Sequence, residues 1–195
     1  MIPASRFIAT SDDRPVWLAA RTGAVTATEV ARAATPAGFL LAAEERRNPQ
    51  PVEDNAYMKF GRDNEQWLAL DLKAKFGIMP NHWLIAAESN PMHMATPDGL
   101  SLDHTAIAEI KTGGKAEYVK PPIQYRRQIQ WQLWCTGAEW CAYAFMHRIE
   151  VGGVFVPAWL EPKTLRIERD DAMISQLVTV ADRLLDIDTE QRFAA

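Results

Sequence analysis

The sequence is short of the features that mark specialised chains. Cysteine is scarce: Cys135 and Cys141 are the only two in 195 residues. Both lie in apolar surroundings without ligand spacing. That excludes a disulfide framework and a cysteine–zinc site, and predicts buried free thiols in a reducing cytosol. His82, His93, His104 and His147 make no zinc pattern either. No apolar run is long enough to span a bilayer, and the start Met1 to Arg6 lacks a signal-peptide core, so a cytoplasmic chain with no membrane partner is expected. Repeats and low-complexity tracts are missing. So is a surplus of positive charge: the net charge is −4. That argues against indiscriminate nucleic-acid binding, but not against a local basic channel.

Hydrophobic content of 48% and charged content of 24% are those of a globular protein with a real core. One domain over residues 1–195 is expected. Arg14 to Arg21 predicts a short helix with Pro15 in its first turn and Asp13 near the cap. Thr26-Ala27-Thr28-Glu29 is a capping box opening a second helix. Glu44 to Asn55 reads as a loop, and a long helix from about Asn55 to Phe76 stops at Gly77. Strands are predicted at Trp83–Glu88 and Met92–Thr96, then a hairpin, then a helix from about Pro122 to Cys135. Further strands at 142–150, 154–160 and 165–168 precede a last helix from Asp170 to about Asp186, with Met173, Leu177, Val180, Leu184 and Ile187 on one stripe. Strands in the middle with helices before and after predict an α/β (α+β mixed) fold with a central mixed sheet flanked by helices.

The hairpin carries the chemistry. Met94–Leu102 and Thr105–Lys111 can be extended, with Asp103-His104 as a polar two-residue turn. This register sets Asp98 across from Glu109, and opposed side chains lie only about 4.5–5.5 Å apart at Cβ. Two facing carboxylates repel, and a hard divalent cation turns that cost into a binding site. Alternation puts Glu109 and Lys111 on one face and Ile110 on the other. A one-residue slip would undo the arrangement. The same residues also suit an ordinary half-exposed strand and a Pro-Asp-Gly turn.

Three further groups stand out. Glu65 aligns with Leu68, Ala69, Leu72 and Phe76, a stripe predicted to face the core, where a carboxylate needs a partner. Arg21 precedes a helix N-terminus bearing Thr26 and Thr28, an arrangement that favours an anion, although most capping boxes bind nothing. Gln124, Gln128 and Gln132 recur every four residues, either as a polar face or as groups that orient water and phosphate oxygens. Lys111, Lys115, Lys120, Arg126 and Arg127 make a solvated face or a phosphate track. Trp67, Trp131, Trp134 and Trp140 read as core.

In order, the blocks Trp17–Glu29, Gly61-Arg62-Asp63-Asn64-Glu65, Thr96-Pro97-Asp98-Gly99-Leu100, Glu109-Ile110-Lys111 and Tyr125–Trp134 resemble the lambda-type exonuclease (YqaJ-like viral recombinase) family of the PD-(D/E)xK nuclease superfamily. The resemblance runs from about residue 14 to 185 and implies a restriction-endonuclease-like core. It implies that Asp98, Glu109 and the Ile110 backbone carbonyl hold metal, and that Glu65 serves a second metal or a metal-bound water. Lys111 would polarise the attacking water and Gln128 would orient the reacting groups. Arg21 would hold a terminal 5′-phosphate, with Thr26 and Thr28 beside it. The implied cofactor is Mg²⁺, with Mn²⁺ as the alternative, in two ions. The implied activity is 5′-to-3′ degradation of one strand of linear duplex DNA to 5′-mononucleotides, leaving 3′ tails for recombination. Duplex DNA ends, a trimeric ring of the chain itself and a single-strand annealing protein are the implied partners, in the cytoplasm of a bacterial host carrying the phage or prophage. A structure-specific or site-specific endonuclease of the same superfamily, and a catalytically silent DNA-binding module, are the competing readings. The loop after Lys111 looks shorter than in the type member, which puts ring formation and processivity in doubt.

Overall fold

The computed structural model describes residues 1–50 and 54–194, with 188–194 given by backbone alone. The elements run β1 (Phe7–Thr10), α1 (Arg14–Ala20), β2 (Val25–Thr26), α2 (Ala27–Ala33), α3 (Pro36–Arg47), α4 (Ala56–Phe76), β3 (Ile78–Pro80), β4 (Trp83–Ala86), β5 (His93–Ala95), β6 (Gly99–Ser101), β7 (Ala106–Gly113), α5 (Ile123–Thr136), β8 (Trp140–Val151), β9 (Val154–Pro157), β10 (Lys163–Glu168) and α6 (Asp171–Ala194). Helix ends follow local chemistry. The Asp13 side chain accepts from Val16 N–H at α1, and Asn55 accepts from Tyr57 and Met58 N–H at α4. Gly77 and Gly137 close α4 and α5 at φ 68° and 75°, left-handed angles that cost glycine nothing. The expected loop from Glu44 is corrected: Glu44 to Arg47 form the last turn of α3. Positions 51–53 of that loop lie outside the described residues.

Among the described residues there are two mixed sheets rather than one. The first has order β1-β4-β5-β2; the second has order β10-β8-β7-β6-β3, with β9 paired to β8. The run Met94–Leu102 is not one strand. Pro97 has no N–H to give a ladder, so β5 ends at Ala95 in the first sheet and β6 starts at Gly99 in the second. The second sheet centres on the parallel pair β7–β8, from Ala106↔Trp140 to Gly113↔His147, with α5 as the connection.

Alternation along this pair sorts the side chains. Ala108, Ala142, Ala144 and Met146 face one side and pack with Phe60, Leu68 and Leu72 of α4. Ile107, Cys141, Tyr143 and Phe145 face the other and pack with Ile129 and Leu133 of α5. Alanines on the α4 side let that helix come close, and bulky residues fill the α5 side. A further cluster joins α2, α5 and α6 through Val30, Trp131, Leu177 and Leu184. The stripe expected on α6 packs there. Both cysteines are buried free thiols. Trp131 is fully buried, but Trp67 is exposed, contrary to its core reading.

Candidate active site

The β6–β7 hairpin keeps the expected register, Gly99↔Ala108 and Leu100↔Ile107. Its turn is longer than two residues. Asp103 accepts from Ser101 Oγ, Thr105 N–H and Thr105 Oγ1, which shapes the turn and holds its carboxyl at about 2. Asp98 lies one step past the last pair. Its N–H donates to Ala108 O at 3.0 Å, and its Oδ2 accepts from Ile110 N–H at 2.6 Å. The carboxylate is thus fixed along β7, beside Glu109 and Lys111.

Glu109 is the hub. It is 1% exposed on the α5 side of β7. Its Oε1 accepts from Lys111 Nζ and, at 2.6 Å, from Gln128 Nε2. Its Oε2 accepts from Gln132 Nε2 at 2.6 Å. Burial alone would lower the Lys111 ammonium, but the charges of Glu109 and Asp98 outweigh it and hold the group above its ordinary value. Tyr125 adds a ring face 5.4 Å from Lys111 Nζ. The glutamine stripe divides in two: Gln128 and Gln132 reach Glu109, whereas Gln124 is exposed. Gln132 is a functional candidate that the motif reading passed over, although the four-residue spacing pointed to it.

Asp98 behaves oppositely to a stable carboxylate. Burial, then the charge of Glu109, push its carboxyl well above the usual range. A proton there does what a cation would do. Its donors are all oxygen, as a hard divalent ion requires, and water fills the remaining positions of such ions. Among the described residues no three His, Cys, Asp or Glu side chains converge as a ready-made cluster. The acidic pair fits a cation held by Asp98, Glu109 and backbone oxygen rather than by a cage of acids.

Glu65 corrects its expectation. The buried face of α4 runs through Phe60, Leu68 and Leu72, and Glu65 is exposed beside it. A carboxylate in that core would go unpaired, so the helix turns it to the rim. There it borders three clefts, each of which also includes Asp98.

The second of these clefts, about 300 Å³, also contains Arg21, Thr26, Thr28, Gln128 and Gln132. The structure therefore brings the expected anion-binding group to the acidic centre. Thr26 N–H donates to Glu29 at 3.4 Å, and Arg46 clamps Glu29 from the other side at 2.7 Å, which fixes the start of α2. Arg21 lies over the Trp17 ring, 4.1 Å from its centroid. Its side chain has no hydrogen bond or ion pair among the described residues. Burial pulls its guanidinium below the ordinary value, against the charge of Glu29, yet arginine keeps its proton. Three buried polar atoms of residues lining the same cleft also lack hydrogen-bond partners among the described residues: Trp17 Nε1, Thr96 Oγ1 and Gln132 Oε1. Each such atom costs about 1–3 kcal/mol unless a ligand or water satisfies it. Nothing in the local sequence marks Trp17 or Thr96 for this role.

The YqaJ-like viral recombinase domain model matches residues 16–139. Among solved structures, the chain is similar to the alkaline exonuclease LHK-Exo from Laribacter hongkongensis. It is 29% identical to it, with 91% of this chain and 96% of that chain covered and a TM-score of 0.71. The same enzyme in complex with dAMP gives 28% identity, 91% and 94% coverage, and a TM-score of 0.73. A phage-related exonuclease from Haemophilus somnus 129PT shares the fold at 14% identity, with 87% and 96% coverage and a TM-score of 0.65. Among curated proteins no sequence match is found. No helix among the described residues is long and apolar enough to cross a membrane. Arg21, Glu65 and the whole acidic centre fall inside the matched stretch, and the chain belongs to the YqaJ-like viral recombinase family, a nuclease that acts on DNA with the divalent-metal chemistry of that family.

Proposed function

We propose that the protein is a Mg²⁺-dependent 5′-to-3′ exonuclease that degrades one strand of linear duplex DNA to 5′-mononucleotides. The observation that carries this reading is the unpaired Arg21 guanidinium in a cleft that also includes Asp98, Glu65 and Gln128. A generic nuclease has no use for a half-buried cation without a counter-ion in the same cleft as its acids. An enzyme that measures from a 5′-phosphate does. Thr26 and Thr28 add hydroxyls on the same wall.

Each residue then has a task. Asp98, Glu109 and the Ile110 carbonyl hold the ion, and Glu65 serves a second ion or its water from the rim. When bound, two such ions supply a nucleophilic water and neutralise the leaving oxygen. Lys111, kept charged between Glu109 and Asp98, positions and polarises that water. Gln128 fixes Glu109 through Oε1 and orients the reacting groups. The products are 3′ single-stranded tails, for strand annealing with a single-strand annealing protein in the cytoplasm of a bacterial host. A ring of chains, trimeric by likeness, would keep the duplex threaded.

The test is Mg²⁺ with linear duplex carrying or lacking a 5′-phosphate, products resolved by length. Mononucleotides appearing faster from the phosphorylated end support the reading. Cutting of closed circles, with no preference between ends, hands the case to an endonuclease.

A further inference from the structure

The first cleft shares Asp98 and Glu65 with the Arg21 cleft, but its outer part, away from those acids, has no role in the scheme above. It is about 420 Å³ and lies between α4 and the β7–β8 pair. At its inner end are Asp98 and Lys111. At its outer end Tyr57 is 54% exposed, with the Arg148 guanidinium 4.3 Å from its ring centroid and Phe155 at 5.1 Å, tilted 40°. Arg148 has no hydrogen bond or ion pair among the described residues. Between the two ends Gly61 leaves the wall bare: a Cβ there would meet only Thr112 Oγ1, at 3.6 Å. Tyr57, Gly61 and Glu65 are spaced by four along α4 and so share this face. Glycine inside a long helix costs about 1 kcal/mol relative to alanine, so its presence here is unexplained by helix stability.

From this geometry we infer that the cleft is a nucleotide subsite: it takes the residue on the 3′ side of the scissile phosphate, with Tyr57 as its base platform. The inference rests on the exonuclease reading for its direction. If the terminal phosphate lies at Arg21 and the scissile one at Asp98, the next nucleotide continues past Asp98 and away from Arg21, and this cleft meets the Arg21 cleft at Asp98 without including Arg21. Drawing the terminal nucleotide away bares one face of the next base. The exposed part of the Tyr57 ring replaces the lost stacking, and any base has a π-face for it. Arg148 braces the ring from behind and offers charge to the passing backbone. Gly61 lets that backbone lie close to α4.

The test is a binding cycle without metal. Anisotropy gives Kd for a labelled 5′-phosphorylated duplex, intact or with an abasic residue as the second nucleotide. The proteins are wild type, Tyr57→Ala, Tyr57→Phe and Gly61→Ala. Removing the base should weaken wild type about tenfold, as should Tyr57→Ala on the intact duplex, and the two losses should not multiply. Tyr57→Phe should behave as wild type. Gly61→Ala should melt higher than wild type and bind more weakly. Losses that multiply to about a hundredfold, a Phe variant that fails like Ala, or a Gly61→Ala protein that binds normally would each overturn the subsite. Mg²⁺ cleavage of the intact duplex is measured in parallel. An intact binding cycle without exonucleolytic cleavage removes the exonuclease reading and leaves the stacking subsite.

Discussion

The acidic centre on β7 and the Arg21 cleft beside it are built on opposite principles. Around Glu109 every charge is answered from within the chain: one ammonium and two amides converge on two oxygens. In the Arg21 cleft the polar groups are left open: among the described residues the guanidinium has no counter-ion and three buried atoms have no hydrogen-bond partner. A satisfied buried network is rigid, and removing one member strands the rest. An open set pays its desolvation in advance and recovers it only when a ligand arrives. The difference assigns the labour: the closed region holds reacting groups still, and the open region recognises.

The largest expected effect breaks the closed side. Glu109→Ala leaves the buried Lys111 ammonium and two amides without an acceptor, so it should abolish cleavage and also destabilise the fold by about 3–5 kcal/mol. From the sequence alone, relief of repulsion between the two acids argues for a slight gain in stability on losing either one. The network around Glu109 reverses that expectation for this residue. Urea melts beside a nuclease assay decide it, and an inactive variant as stable as wild type would show that the hub is not structural.

The open side should behave differently. Arg21→Ala removes a guanidinium that has no ion pair among the described residues and gives up only its place over the Trp17 ring, so stability should change little. Cleavage of 5′-phosphorylated duplex should fall about ten- to a hundredfold, the worth of a charge-assisted contact of roughly 1.5–3 kcal/mol, while 5′-hydroxyl duplex is nearly unaffected. Equal losses on the two substrates would make Arg21 a general backbone contact.

Gln132 belongs to both regions, because its Nε2 supports Glu109 while its Oε1 is left open in the cleft. Gln132→Leu keeps the volume and removes both functions. Removing the orphan Oε1 offsets part of the cost, but Glu109 Oε2 is left buried without its donor, so stability should fall by about 1–3 kcal/mol. Turnover should fall about tenfold, since Glu109 loses one of its anchors. A variant that melts like wild type and cleaves at the normal rate would make Gln132 mere packing.

Much of this was legible in the chain. Helix caps announced α1, α2 and α4, and the alternation Glu109-Ile110-Lys111 predicted which side chains share a face. What could not be read depends on long-range packing. The split into two sheets turns on where Pro97 interrupts an extended run, but which strands then accept each half is a tertiary matter. The edge strands β1 and β3 are four and three residues long, too short for a period to show. The stripe shared with Leu68, Leu72 and Phe76 predicts Glu65 inward, yet Phe76 is itself 41% exposed, and the true stripe is narrower. Trp17 and Thr96 have no local signature at all; only the folded cleft shows their atoms unpaired.

The smallest effect sharpens the contrast within the centre itself, since Asp98 is the one acid there whose charge is not welcome. Burial and the neighbouring Glu109 raise its carboxyl well above 3.8, so the folded chain keeps a proton that the unfolded chain releases. Above pH 3.8 the folded state therefore binds more protons than the unfolded state, and metal-free stability falls as pH rises through that window. Asp98→Asn has no proton to lose. It should flatten this slope and melt slightly above metal-free wild type at neutral pH, by roughly 2–4 °C for each 1 kcal/mol relieved. Mg²⁺ should reverse the order. The ion binds the ionised native site and raises the wild-type melt, more at pH 7 than at pH 5, while the Asn variant gains nothing. Thermal melts of both proteins at the two pH values, with Mg²⁺ and with EDTA, give all four comparisons. A wild-type melt that rises with pH in EDTA would mean that Asp98 is already content as a carboxylate, and the case for a cation at this position would lose its electrostatic footing.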